Sequence, residues 1–184
     1  PYTKLPNQLQ RDVKAFFGNY KIAIETAREL LFSISDTELI TKTCQTAYQD
    51  LPASVLIENH SLTLHKDFIE LLPALLRIYI GGGIQLYGEL DKIQLIKIHF
   101  HSGKLSFMGY EGFEETPLPL LKERIKVSLG QQDVEFFDYV DKYRPQPLFF
   151  KSRYITEDYL HYKKQCSFDK KIALYLPSNT PYGI

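Results

Sequence analysis

The stretch Ile93-Gln94-Leu95-Ile96-Lys97-Ile98-His99-Phe100-His101-Ser102-Gly103-Lys104-Leu105-Ser106-Phe107-Met108 decides how the chain folds. Gln94, Ile96, Ile98 and Phe100 alternate with Leu95, Lys97, His99 and His101, a period of two that puts the two sets on opposite faces of a sheet. Ser102-Gly103 reads as a turn, after which Leu105 and Phe107 alternate with Lys104, Ser106 and Met108, giving a β-hairpin. With Ile96, Ile98 and Phe100 against the core, Lys97, His99, His101 and Lys104 are expected to face outward.

Downstream the pattern repeats. Ile125, Val127 and Leu129 point inward, Gly130-Gln131-Gln132 forms the turn, and 133–139 returns as a second hairpin. Arg124 and Lys126 then face the same way as Lys97. Upstream the period is helical. Leu9, Val13 and Phe16 or Phe17 are spaced by three and four, and Gly18 ends the helix. Asn19 caps a second helix with the stripe Tyr20, Ile24, Ala27, Leu31 and Ile34, and Ser35 or Asp36 caps a third carrying Leu39, Ile40, Cys44 and Ala47. A short strand is expected at 54–58 and an apolar helix over 68–79, with Pro73 in its first turn and Gly81-Gly82-Gly83 bending or ending it unless Ile84, Leu86 and Tyr87 resume it. Beyond Tyr139 the chain is expected to be irregular, with one short helix near 157–165. The fold class is α+β: a helical segment over 1–50 and an α+β segment over 51–184, forming one compact domain, its antiparallel sheet built of two hairpins and its C-terminal segment irregular and basic.

The 184 residues are 44% hydrophobic and 14% aromatic, enough to build a core, so a disordered chain is excluded. No apolar run approaches the roughly 18 residues of a membrane span, and no membrane partner is expected. Two cysteines, Cys44 and Cys166, cannot make a four-thiolate zinc site and fit a reducing cytoplasm. The 22 basic and 22 acidic residues balance, which excludes a histone-like grip on DNA. The balance conceals segregation, however. Residues 105–141 carry Lys122, Arg124 and Lys126 against eight acids, a net of −5. Residues 142–171 carry Lys142, Arg144, Lys151, Arg153, Lys163, Lys164, Lys170 and Lys171 against Glu157, Asp158 and Asp169, a net of +5.

Two sets of residues suit nucleic acid. Lys97, His99, His101, Lys104, Arg124 and Lys126 make an outward cationic face that could lie along a phosphate backbone, the competing reading being a merely solvated face. Arg144, Lys151 and Arg153 are interleaved with Tyr143, Phe149, Phe150 and Tyr154, a pattern for phosphate pairing and base stacking, or for a tail docked on the core. His99-x-His101 has a metal-site spacing whose third ligand would have to be His65, Glu114 or Glu115, and surface histidines are the simpler reading. Glu111, Glu114 and Glu115 sit beside Pro117 and Pro119 and read as a solvated loop rather than an acid–base pair. Gly81-Gly82-Gly83 follows a helix and has no Lys-Ser/Thr after it, so it is not a phosphate loop. No nucleophile elbow, zinc-protease helix or methyltransferase glycine loop occurs, and no cofactor is expected in the chain.

Several segments, in order, resemble a known family. They are Leu5-Pro6-Asn7-Gln8-Leu9-Gln10-Arg11-Asp12-Val13-Lys14-Ala15-Phe16-Phe17-Gly18-Asn19-Tyr20-Lys21, Glu29-Leu30-Leu31-Phe32-Ser33, Leu75-Leu76-Arg77-Ile78-Tyr79, Leu95-Ile96-Lys97-Ile98-His99, Lys104-Leu105-Ser106-Phe107, Pro117-Leu118-Pro119-Leu120 and Asp138-Tyr139. Together they resemble the C-terminal region of the DNA phosphorothioation-associated methyltransferases. Ile80-Gly81-Gly82, Phe113-Glu114-Glu115, Phe150-Lys151-Ser152 and Ile57-Glu58-Asn59 depart from that family's pattern, so no role is carried over to them. The resemblance implies a methyltransferase part upstream of Pro1, and an accessory domain here whose partner is DNA or that methyltransferase. The rivals are a protein-interaction domain docking through its tail aromatics, and a metal-assisted hydrolase built on His99, His101 and a carboxylate.

Overall fold

Asn19 accepts the backbone N–H of Ile22, and Asp36 accepts those of Glu38 and Leu39, so two helix starts fall where capping residues place them. The computed structural model describes residues 2–140, 142–144 and 146–177. Its first helices are α1 (Asn7–Phe17), α2 (Tyr20–Ser33) and α3 (Thr37–Asp50). Gly18 closes α1 at φ 76, a conformation that glycine adopts without steric cost. Only α3 sinks a full stripe, through Ile40, Cys44 and Ala47; α2 buries no residue completely and α1 buries Val13 alone.

Next come β1 (Ser54–Ile57) and β2 (Ser61–His65), joined by a turn in which Asn59 takes φ 54. A 3-10 turn over Lys66–Leu71 leads to α4 (Ala74–Tyr87). Pro73 is the cap of α4 rather than part of its first turn, because the preceding residues close a separate turn. The triple glycine does not end α4, which continues through Ile84, Leu86 and Tyr87 to its cap at Gly88. Packing supplies the reason: a Cβ on Gly83 would lie 2.5 Å from Leu105 Cδ1 and 3.1 Å from Phe107, so the glycine lets the helix press onto the sheet.

The sheet continues with β3 (Leu95–His99), β4 (Lys104–Glu111), β5 (Leu120–Ser128), β6 (Asp133–Asp138) and β7 (Gln146–Pro147). Among the described residues it has seven strands, all pairs antiparallel, in the order β1-β2-β3-β4-β5-β6 with β7 also on β5. The two expected hairpins are β3–β4 and β5–β6, and β1 and β2 extend that sheet by a third. The fold is α+β, as its periodicities require. Helix α5 (Tyr162–Ile172) starts and ends later than the sequence suggests. Its register is set by a buried pair one turn apart, since Gln165 donates to Asp169 at 2.8 Å and Asp169 accepts from Ser152 N at 2.9 Å.

Both sheet faces are covered. Beneath α3 and α4 lie Leu62, Leu64, Ile96, Ile98, Phe100, Leu105, Phe107, Ile125 and Val127. On the other face Val55, Leu95, Met108, Tyr110 and Leu121 pack under Tyr139, Leu148, Tyr154 and Ile155. Each fully buried aliphatic side chain contributes about 1.5–3 kcal/mol, so both layers matter to stability. No helix among the described residues is long and apolar enough to cross a membrane.

Candidate functional site

The second sheet face changes character along its strands. At one end it is the apolar layer under the C-terminal segment; at the other it is polar. The pairing register lines up Thr63, Lys97, Ser106, Lys126 and Glu135 in one row across β2 to β6. Ser61 stands opposite His99 in the next row, and Lys104 opposite Ser128. Arg124 lies on the other side of the row, between Met108 and Phe137. Ser61, Thr63, Ser106 and Ser128 are buried, so small hydroxyl side chains form a floor from which the longer cationic ones rise.

Two imidazoles and two hydroxyls interlock there. The His99 Nε2–Ser106 Oγ distance is 3.0 Å and the His60 Nδ1–Ser61 Oγ distance 2.8 Å, with the two rings edge-on at 5.8 Å. Burial, and then the positive charge of Lys97, His60, Lys126 and Arg124, pushes the His99 imidazole down to about 4, so it is neutral at physiological pH. Burial and Arg124 bring Lys97 down to about 8, still mostly protonated at neutral pH. Lys126 rests its ammonium 5.6 Å from the Phe137 ring, and Arg124 its guanidinium 5.7 Å from that of Tyr139. Among the described residues no carboxylate forms an ion pair with Lys97, Lys104 or Lys126.

Lys97, His99, Lys104, Arg124 and Lys126 therefore share one face. Lys97 is not the solvated outward residue that alternation suggests, since it is only 8% exposed. Alternation identifies two faces without saying that one meets water, and Leu95 and Met108 on this face needed a cover of their own. His101 is exposed just past β3, its ring edge-on to Phe100, and Arg144 is exposed beyond β6. Lys151 is buried, donating to the carbonyls of Phe113 and Thr116 over the Phe113 and Tyr159 rings. Arg153 lies at the opposite sheet edge, near β1, in a cleft of about 440 Å³ with Tyr48, Pro52, Ser54 and Tyr162. The basic C-terminal set thus splits instead of joining the face.

The other candidates are dispersed. Among the described residues no three His, Cys, Asp or Glu side chains are grouped so as to hold a metal ion. His65 is buried on β2 with its ring against Phe68 and Phe113, and Glu111, Glu114 and Glu115 are exposed. Residue patterns overlooked His60, Ser61 and Thr63, which belong to the unpredicted hairpin; the alternation of Ser61, Thr63 and His65 with Leu62 and Leu64 was the signal available. Comparison of the chain with protein families, with characterised proteins and with solved structures finds no match in any of the three.

Proposed function

We propose that the chain is a non-catalytic accessory domain of a DNA phosphorothioation-associated modification protein, positioning DNA for a neighbouring methyltransferase. The observation that supports this reading is the cationic sheet face, where Lys97, Lys104 and Lys126 stand on a hydroxyl floor and form no ion pair among the described residues, Glu135 being the cross-strand neighbour of Lys126. Phosphate contacts fix the position of a duplex and carry no sequence information, which suits an accessory role. Family resemblance in the strands and helices points the same way. In fluorescence anisotropy at low salt a labelled duplex should bind, with log K falling against log salt by about 0.9 per phosphate contact. Joint Lys104→Ala and Lys126→Ala substitution should flatten that slope by about two contacts. Absence of any duplex affinity at low salt overturns the reading.

A second reading is favoured by the apolar exterior. Phe16 is 79% exposed and Phe32 75%, with Leu9, Ile22 and Leu31 also exposed on α1 and α2. Large exposed apolar groups mark interaction surfaces when they are contiguous. Light scattering decides here: a strict monomer that Phe16→Ser and Phe32→Ser leave unchanged in solubility would remove the case for a protein partner.

A further inference from the structure

The two edges of the sheet differ in what covers them. Strand β1, at one end of the strand order, is buried or half-buried along its length. Strand β6, at the other end, exposes Asp133, Glu135, Phe136 and Asp138. Tyr139 N donates to Lys122 O at 2.8 Å, which makes these two residues a hydrogen-bonded pair just past the end of β6. Antiparallel pairs alternate, so Asp133, Glu135 and Phe137 turn their backbone groups to β5, and Val134, Phe136 and Asp138 turn theirs outward. The Asp133 carboxylate accepts the Val134 N–H at 2.9 Å. Phe136 and Asp138 each keep an outward N–H and C=O with no protein partner among the described residues. Such a row is a template for one more strand.

The side chains at this edge say which strand it takes. Phe136 shares the face of Ile125, which packs beneath α4, and its ring lies 6.1 Å from that of Tyr87. It is nonetheless 69% exposed, beside a groove of about 390 Å³ that Phe136, Phe137, Asp138 and Val140 line. On the same face Glu123 and Asp138 stand directly opposite each other, and like charges so placed cost stability. Lys122 and Arg124 also border the groove, but among the described residues neither carboxylate is in an ion pair. Burial, then Glu123 and Glu89, raise the Tyr87 phenol above its usual range, so the charges acting on this face are negative. We propose that β6 is a docking edge for an extended segment of another protein. The segment adds antiparallel to β6, with a basic residue beside Asp138 and, two residues on, an apolar one beside Phe136. Its backbone supplies affinity and its alternate side chains supply selectivity. A second copy of β6 cannot provide the cation, because residues 133–138 contain no basic residue. The inference is independent of DNA binding, which uses the opposite sheet face.

The probe is a capped peptide, Lys-Thr-Val-Thr-Val-Thr, titrated into the full chain at low salt and followed by backbone amide NMR. Saturable shifts centred on 134–138 are expected, with slowed hydrogen exchange at the Phe136 and Asp138 amides. N-methylation of the two valine amides, which face β6 in this register, should abolish binding. Replacing the peptide's lysine by glutamate should weaken binding by roughly fivefold. Phe136→Pro removes an outward N–H and no ladder bond, so it should abolish binding while the chain stays folded. Asp138→Lys should reverse the preference between the lysine and glutamate peptides, and this variant decides the matter should Phe136→Pro fail to fold. Shifts that gather away from β6, or none, overturn the proposal. Equal binding of the lysine, glutamate and N-methylated peptides overturns it as well. If the β6 signals of the chain alone move on dilution, a second copy occupies the edge and the proposal falls.

Discussion

The ammonium of Lys151 donates to the backbone oxygens of Phe113 at 2.8 Å and Thr116 at 2.7 Å, tying the start of the C-terminal cover to the loop after β4. Lys151→Met would strand the Thr116 oxygen, and urea denaturation should show a loss of about 2 kcal/mol or more. A loss near zero would mean that the cover is held by its apolar residues alone. His99 supplies a second residue-level expectation. The unfolded chain takes up its proton near pH 6.5 and the folded one only near about 4, so His99 stabilises the fold above pH 6.5 and loses that contribution down to pH 4. His60 and His65, also lowered by burial, add to the same trend. His99→Gln should therefore narrow the gap between urea midpoints measured at pH 7 and pH 4.5. At this scale the sequence was a partial guide. Side-chain alternation put Lys97, His99, Lys104, Arg124 and Lys126 on one face, but burial depends on what lies above a face. For Lys97 and Lys151 that is settled by residues remote in sequence, so their burial was not legible.

Among the elements, α4 shows how packing overrides propensity. Glycine lowers helix stability by about 1 kcal/mol relative to alanine, which is why three in a row read as an end. The three positions differ in what surrounds them. Gly81 has nothing within 4 Å of a built Cβ, whereas Gly83 faces Leu105 and Phe107 at 2.5 Å and 3.1 Å. Gly81→Ala should raise stability by up to about 1 kcal/mol, and Gly83→Ala should lower it by about 1–3 kcal/mol through overpacking. Thermal unfolding of the two variants checks the opposite signs. Helices α1 to α3 were legible because local signals fix them: Gly18 ends one, and Asn19 and Asp36 bond the first turns of the others. Hairpins β3–β4 and β5–β6 were legible from alternation over many residues. Strand β1 was expected at 54–58, but its partner β2 escaped notice because it is short and the turn between them rests on Asn59 rather than on a glycine. Helix α5 was displaced because the same buried pair is tied to residues outside the helix, Gln165 Nε2 donating to Pro117 O at 2.9 Å and Ser152 N to Asp169 at 2.9 Å.

At the scale of the molecule, the sheet divides the chain into a helical layer, a C-terminal cover and a cationic strip beside that cover. The N-terminal hairpin of helices is the weakest part of this arrangement, since α1 buries only Val13 and α2 no residue completely. Amide hydrogen exchange should be faster in α1 and α2 than in α4 and β3 to β5, where Ile80, Ile96, Ile98 and Phe107 are fully buried. Equal protection throughout would contradict that ordering. The balanced total of 22 basic and 22 acidic residues concealed the strip, because charge balance over a chain says nothing about charge on one face. The central claim is that this strip, rather than the basic C-terminal segment, receives DNA. Backbone amide NMR of the full chain titrated with a short duplex at low salt tests it directly. The expected result is a set of shifted amides confined to β2 through β5 around Lys97, His99, Lys104, Ser106 and Lys126. Shifts confined to residues 142–171, or none at all, would contradict it.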